Sequence, residues 1–516
     1  MGKGESEFNN GLKLLAKSSV IVFVFLMLSK IVTYIYRIII ARYFGAEVYG
    51  MFLLAMMVLG WFIVFASLGL SEGLLRYISL YRGKKQENKI KYIFRTTIFI
   101  AFFWSIFLGT LMFLFSDFIS IHFFHNTELG SYLKLFSFLV PISVLLDIFV
   151  STIRTFEKIA WYSFITNILS NASKLVLLLI FLFIGFKVNS VKFSYFFGVI
   201  FVMIFAYFTC RYLVPDVFNK FILAKKERLK IRKDLFSYSW PIMFAGVITT
   251  LFYWIDSFSI GYFFNPTYVG YYNAAVPLVS FLGLVPELFM QLFLPMITKE
   301  YSRKNFDVIK QLSQQVGKWI IILNLPLFLL MLIFPEQIIN ILFGEKYLPA
   351  VSSLQILSFG GIFMGMVIMC QNLLSMLGKS RLILTNLLIV SIINLGLNFF
   401  LIPKYGIMGA AIATSLVWII LTFILFIQVR RNIGIIPLRR KILRVLLVSL
   451  IPVALVLYLK NLVILNLMGL VVLGVFFFLI YIILIFLTGC LDKNDLMILR
   501  TFSSKMKSVI KDKKLY

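Results

Sequence analysis

Long apolar runs and short polar links alternate along almost the whole chain. A hydrocarbon core about 30 Å thick takes about 20 helical residues to cross. Runs near that length fall at 18–41, 48–70, 93–115, 132–153, 161–185, 193–214, 236–263, 268–297, 317–342, 351–377, 381–402, 407–429, 442–459 and 463–487. Most are apolar around the full circumference of a helix, the pattern of a helix solvated by lipid. The links 42–47 and 403–406 are short enough for antiparallel hairpins. The pattern predicts an all-α polytopic membrane protein of about 14 transmembrane helices.

Composition strengthens that reading. Of 516 residues, 61% are hydrophobic and 14% charged, and mean hydropathy is +0.98. A soluble domain is nearer half apolar and a quarter charged. A formal charge of +29 would suggest nucleic acid in a soluble protein, but no basic segment here is long and interleaved with aromatics, so nucleic acid is excluded as a partner. The distribution of the cations is more telling. With the N-terminus inside, inner segments hold about forty Lys and Arg and outer segments about seven, a strong positive-inside bias. The bias stays in phase only for an even number of spans, so both termini are expected on the cytoplasmic side. The run 18–41 is followed by no small-residue cleavage signal and is read as a retained helix.

The most basic connection, 215–235, divides the chain into an N-terminal six-helix bundle (1–214) and a second one (236–430). Two additional helices (431–487) and a basic tail (488–516) follow. The halves share a short pattern. Tyr43-Phe44 with Gly50 and Phe52 recurs as Tyr262-Phe263 with Gly270 and Tyr272. Both halves start on the same side, so the repeat is parallel. It makes Arg37 and Asp256 equivalent positions.

Candidate chemistry lies in six charged residues inside spans: Lys30, Arg37, Lys174, Asp147, Asp256 and Glu287. Facing lipid they would together cost roughly 15–20 kcal/mol, so they must face water or one another. Lys30, Tyr34 and Arg37 form one helical stripe. Asn167, Ser170, Asn171 and Lys174 form a second, and Thr249, Tyr253 and Asp256 a third. Lys30 and Arg37 are expected to meet Asp256 in a central cleft; Asp147 either pairs with Lys174 as structural glue or serves coupling and gating. Glu287 follows Pro286 and serves either coupling or a broken helix turn. Asn386, Asn394 and Asn398 recur at multiples of four, as interhelical hydrogen bonds or as part of the site. Prolines such as Pro277, Pro286 and Pro326 interrupt spans and permit kinks.

Other chemistry is poorly supported. Cys210, Cys370 and Cys490 are scattered, which argues against a disulfide framework or a thiolate metal site. His122 and His125 lack an acidic partner for a metal, and no Gly-rich phosphate loop ending in Lys-Ser/Thr is present. No metal or cofactor is expected, and no catalytic domain is long enough to see.

The run Ala41-Arg-Tyr-Phe-Gly-Ala-Glu-Val-Tyr-Gly50, then Ser67-Leu-Gly-Leu-Ser-Glu-Gly73 with Arg76, resembles the opening of prokaryotic polysaccharide biosynthesis flippases. Ser239-Trp-Pro241, Trp254-Ile-Asp256, Val269-Gly-Tyr-Tyr-Asn-Ala-Ala275 and Asn398 through Ile412 extend the resemblance to about residue 430. The family belongs to the multidrug/oligosaccharidyl-lipid/polysaccharide exporter superfamily. The resemblance implies two six-helix bundles in a V, alternating access, and a substrate of sugars on polyprenyl pyrophosphate in a prokaryotic cell membrane. Lys30, Arg37 and Lys174 would then meet phosphate, and Tyr34 and Tyr253 sugar faces. Asp256, with Asp147 and Glu287, would couple a H⁺ or Na⁺ gradient or gate the cleft. A polymerase or other glycan-assembly proteins are the implied partners. The competing readings are a cation-coupled multidrug exporter of the same superfamily, a non-transporting subunit of a glycan-assembly complex, and a membrane-embedded glycosyltransferase.

Overall fold

The computed structural model describes residues 3–437, 441–462 and 467–490. Most of the predicted basic tail, and Arg439 and Arg440, lie outside these residues. Twelve helices among the described residues are long and apolar enough to cross a membrane. A pair bent by 42°, Thr127–Ser137 and Leu139–Thr155, is long and apolar enough when its two helices are taken together. The first of the twelve, Val24–Ser67, breaks at Gly45, where φ is 87° and ψ 176°. That backbone region is open only to glycine without strain. With its two halves counted separately, each of the fourteen apolar runs has a helical counterpart, with most ends differing by a few residues and the helices from 225 and 306 starting eleven residues before the apolar run.

The repeat is written into the backbone. Lys85, His125, Glu157 and Gly185 have positive φ, and so do Lys304, Gly344, Gly378 and Gly406, each 219 to 221 residues later. The break at Gly45 is matched by one at Phe264, where φ is −129° and ψ −143°. Helices in the two halves therefore stop at equivalent places, far beyond the short sequence pattern at 43–52.

By packing, the described residues form two compact units. The first takes them from Met1–Leu278, Leu342–Leu357 and Lys379–Ile420, the second from Val279–Ile341, Ser358–Gly378 and Leu421–Tyr516. Within the first unit the repeated segments meet. A Cβ built on Gly50 would lie 1.7 Å from the Pro266 oxygen, and one on Gly270 would lie 2.1 Å from the Ala46 oxygen. Residue 46 is equivalent to 266 and 50 to 270, so this is a two-fold contact, each segment offering the same two positions. Elsewhere in the unit, a Cβ on Gly69 or Gly73 would come within 2.4 Å of Ser239. Arg76 lies 4.1 Å from the Tyr238 ring centre, and Tyr77 Oη donates to the Asp234 carbonyl at 3.0 Å. Motifs separated in sequence thus pack on one another.

In the second unit the two additional helices, Lys441–Lys460 and Leu467–Leu487, share a core with Ile333 and Phe334 through Val456, Leu473 and Phe477. The helix prolines show how such kinks are made tolerable. A proline has no N–H for the carbonyl four residues earlier, and in lipid no water replaces it. Pro326 frees the Ile322 carbonyl, which accepts from Tyr481 Oη at 2.9 Å. Pro286 frees that of Leu282, which accepts from Asn324 Nδ2 at 2.7 Å. In the first unit, Pro277 frees that of Asn273, which accepts from Tyr49 Oη at 3.3 Å. Tyr481→Phe should therefore cost about 1–2 kcal/mol, the penalty of an orphaned buried carbonyl. In a Pro326→Ala background, where the helix supplies the missing N–H, most of that cost should vanish. Thermal unfolding of the four proteins of this cycle checks it.

Candidate functional site

The basic stripes of the first and fifth predicted spans come together in the first unit. Asn171 Nδ2 donates to Ser29 Oγ at 2.9 Å, beside Lys30. The same stripe is stitched internally: Asn167 donates to Ser163 Oγ at 3.0 Å, and Lys174 Nζ to Ser170 Oγ at 3.3 Å. It crosses a π-helical turn, Phe164–Leu169, a wide turn that recurs at functional sites. Lys174 Nζ also lies 4.8 Å from the centre of the Tyr195 ring. The guanidinium of Arg37 faces the phenols of Tyr49, Tyr253 and Tyr34. Tyr34 Oη in turn donates to the Pro277 carbonyl. Among the described residues, no carboxylate forms an ion pair with Lys30, Arg37 or Lys174.

Asp256 sits in a cage of neutral donors. Tyr272 Oη and Thr414 Oγ1 each donate to Oδ2 at 2.6 Å, and Asn398 Nδ2 donates to Oδ1 at 2.9 Å. Asn394 closes the ring, donating to Thr414 Oγ1 at 3.1 Å and accepting from Asn398 at 2.7 Å. The side-chain carbonyl oxygen of Asn398 is buried without a partner. A carboxylate beside an orphaned carbonyl oxygen and a hydroxyl is an oxygen-rich set of the kind that takes a proton or a small hard cation.

This geometry corrects one expected pairing and removes one alternative. Arg37 and Asp256 make no ion pair; each is satisfied by hydroxyls, Arg37 by Tyr49 and Tyr253, Asp256 by Tyr272 and Thr414. Asp147 does not pair with Lys174 but accepts from Ser71 Oγ at 2.5 Å. The reason is depth. Asp147 is seven residues from Arg154, about 10 Å up its helix, whereas Lys174 is fifteen from Ile159, about 22 Å up its own. Glu287 belongs to the second unit, where its side chain is exposed. Sequence reasoning missed Tyr49, Tyr272 and Thr414, although Tyr272 stood in the repeat. It also missed Lys318, which is completely buried although it opens a predicted span.

Repeated helices of membrane length that carry charged residues within their spans define a polytopic membrane protein. Residues 15–301 match the family described as polysaccharide biosynthesis protein, and residues 241–400 match MatE. The first match spans more than half the chain. The protein therefore belongs to the polysaccharide biosynthesis protein family, a flippase family of the multidrug/oligosaccharidyl-lipid/polysaccharide exporter superfamily. It is 26% identical to an uncharacterized membrane protein of Methanocaldococcus jannaschii, over 88% of this chain and 92% of that one. It is 23% identical to a putative O-antigen transporter of Shigella flexneri, over 73% and 88%. Its fold is similar to that of the lipid II flippase MurJ in an inward closed conformation, with a TM-score of 0.72 at 19% identity, covering 90% of this chain and 98% of MurJ.

Proposed function

We propose that this protein moves polyprenyl-pyrophosphate-linked oligosaccharide across the prokaryotic cell membrane by alternating access, with both termini cytoplasmic. The observation that carries the reading is the set of three membrane-embedded cations, Lys30, Arg37 and Lys174, on two adjoining helices with, among the described residues, no carboxylate in an ion pair with any of them. Unpaired charge in lipid is expensive, and an anionic ligand offsets that expense with charge-assisted hydrogen bonds. A pyrophosphate supplies such a ligand, and its sugars need the same hydrated passage because stripping their water is costly. Tyr34 and Tyr253, beside Arg37, stack on the sugar faces. The likeness to a putative O-antigen transporter supports a lipid-linked glycan as the cargo. Asp256 supplies coupling: its oxygen-rich cage takes up H⁺ or Na⁺ and releases it as the carrier cycles.

The match to MatE keeps a multidrug exporter as the second reading. An organic cation would want free carboxylate, whereas three neutral donors already occupy Asp256.

The test is the double variant Arg37→Ala/Lys174→Ala at normal membrane abundance. Loss of charge-assisted bonds worth about 1.5–3 kcal/mol each should slow delivery of lipid-linked oligosaccharide to the outer leaflet by tenfold or more. Wild-type delivery, or export of a fluorescent organic cation instead, sinks the reading.

A further inference from the structure

Three side chains repair proline-freed carbonyls, and one of them does something the others do not. Asn324 and Tyr481 only close a helix. Tyr49, with no solvent exposure at all, donates to the Asn273 carbonyl and also faces the Arg37 guanidinium. The turn it grips is the one that reaches the acid. Tyr272 donates to Asp256 at 2.6 Å, and the next residue, Asn273, donates through Nδ2 to Ser257 Oγ at 2.9 Å. A single hydroxyl therefore stands between the cation that meets the head group and the backbone turn that holds the carboxylate.

We propose that Tyr49 is the positioning residue that links head-group binding at Arg37 to cation uptake at Asp256, acting through the Asn273 carbonyl that Pro277 leaves open. This rests on the flippase reading above. When an anion engages Arg37, the guanidinium turns from the phenol to the phosphate oxygens. The phenol of Tyr49, no longer polarised by the guanidinium, then donates less strongly to the Asn273 carbonyl, and the bond to it loosens. Residues 272 and 273 move with that carbonyl, so the two hydroxyl and amide donors that frame Asp256 and Ser257 shift together. By linkage, a cation at Asp256 must change affinity at Arg37 by the same factor. Pro277 is essential to this, because an N–H at position 277 would hold the carbonyl inside the helix and leave Tyr49 nothing to pull on.

The experiment measures binding of farnesyl pyrophosphate to the full-length protein in nanodiscs, across pH and with Na⁺ in place of K⁺. The wild type should change affinity by about tenfold between conditions that load and unload Asp256, and Asp256→Asn should abolish the change. Tyr49→Phe and Pro277→Ala should each bind the probe yet lose the change. Tyr481→Phe, which removes a carbonyl donor of the same kind elsewhere, should keep it although it lowers thermal stability. A role in packing alone would give Tyr49→Phe and Tyr481→Phe the same outcome. If the change persists in Tyr49→Phe, or is absent in the wild type, the link is wrong and the flippase reading stands. If the wild type does not bind the probe, both fall.

Discussion

Asp256→Ala should abolish transport and destabilise the protein by about 3 kcal/mol or more. The carboxylate accepts from Tyr272, Thr414 and Asn398. Removing it strands three buried donors, each at a cost of roughly 1–3 kcal/mol less whatever they recover from one another. Asp256→Asn separates structure from coupling. The hydroxyls of Tyr272 and Thr414 can rotate to accept from the new amide, so that variant should lose only about 1 kcal/mol. It carries no negative charge, however, and has no proton to exchange, so it too should fail to couple. Thermal unfolding and delivery of lipid-linked oligosaccharide, measured on both variants, check the two halves of this expectation. An Asp256→Asn protein that transports at the wild-type rate would remove Asp256 from the coupling machinery and leave it as structural glue.

The spans were legible because lipid imposes a severe filter. Each crossing must close its own backbone hydrogen bonds over about 20 residues, and the sequence shows that directly. The repeat was legible from one short pattern, since Gly50 and Gly270 are kept small by a contact that only glycine permits. Pairings across helices were not. Periodicity gives the azimuth of a side chain but not its depth, so Asp147 and Lys174 looked like partners although about 12 Å of rise separates them. Equivalence by repeat also misled. Arg37 and Asp256 occupy matching positions, and each is satisfied by tyrosine and hydroxyl partners that read as ordinary apolar sequence. Tyr49 and Tyr272 carry the polar geometry of the site while counting as hydrophobic in any span. The proline repairs were invisible for a related reason. Pro326 announces an open carbonyl at Ile322, but the donor, Tyr481, lies 159 residues away.

The contact between the repeated hairpins yields the sharpest test of the two-fold arrangement. A Cβ at Gly50 would fall 1.7 Å from the Pro266 oxygen and 2.5 Å from its carbon, and one at Gly270 2.1 Å from the Ala46 oxygen. These neighbours are backbone atoms and cannot rotate away, so the helices themselves must part. Overpacking of a tight core costs about 1–3 kcal/mol, and a clash with backbone belongs at the upper end. Gly50→Ala and Gly270→Ala should therefore each lower stability by about 3 kcal/mol and reduce transport at least tenfold, to similar extents because the positions are equivalent. The double variant should be markedly less damaging than the sum, since prying the hairpins apart once relieves both clashes. Gly60→Ala is the control: its Cβ would meet nothing nearer than Trp254 Nε1 at 3.9 Å, and it should gain up to about 1 kcal/mol of helix propensity. Thermal unfolding and transport rates across the four variants decide the matter. Should Gly50→Ala behave like Gly60→Ala, or the two hairpin variants differ widely, the two-fold contact is not what keeps these glycines small.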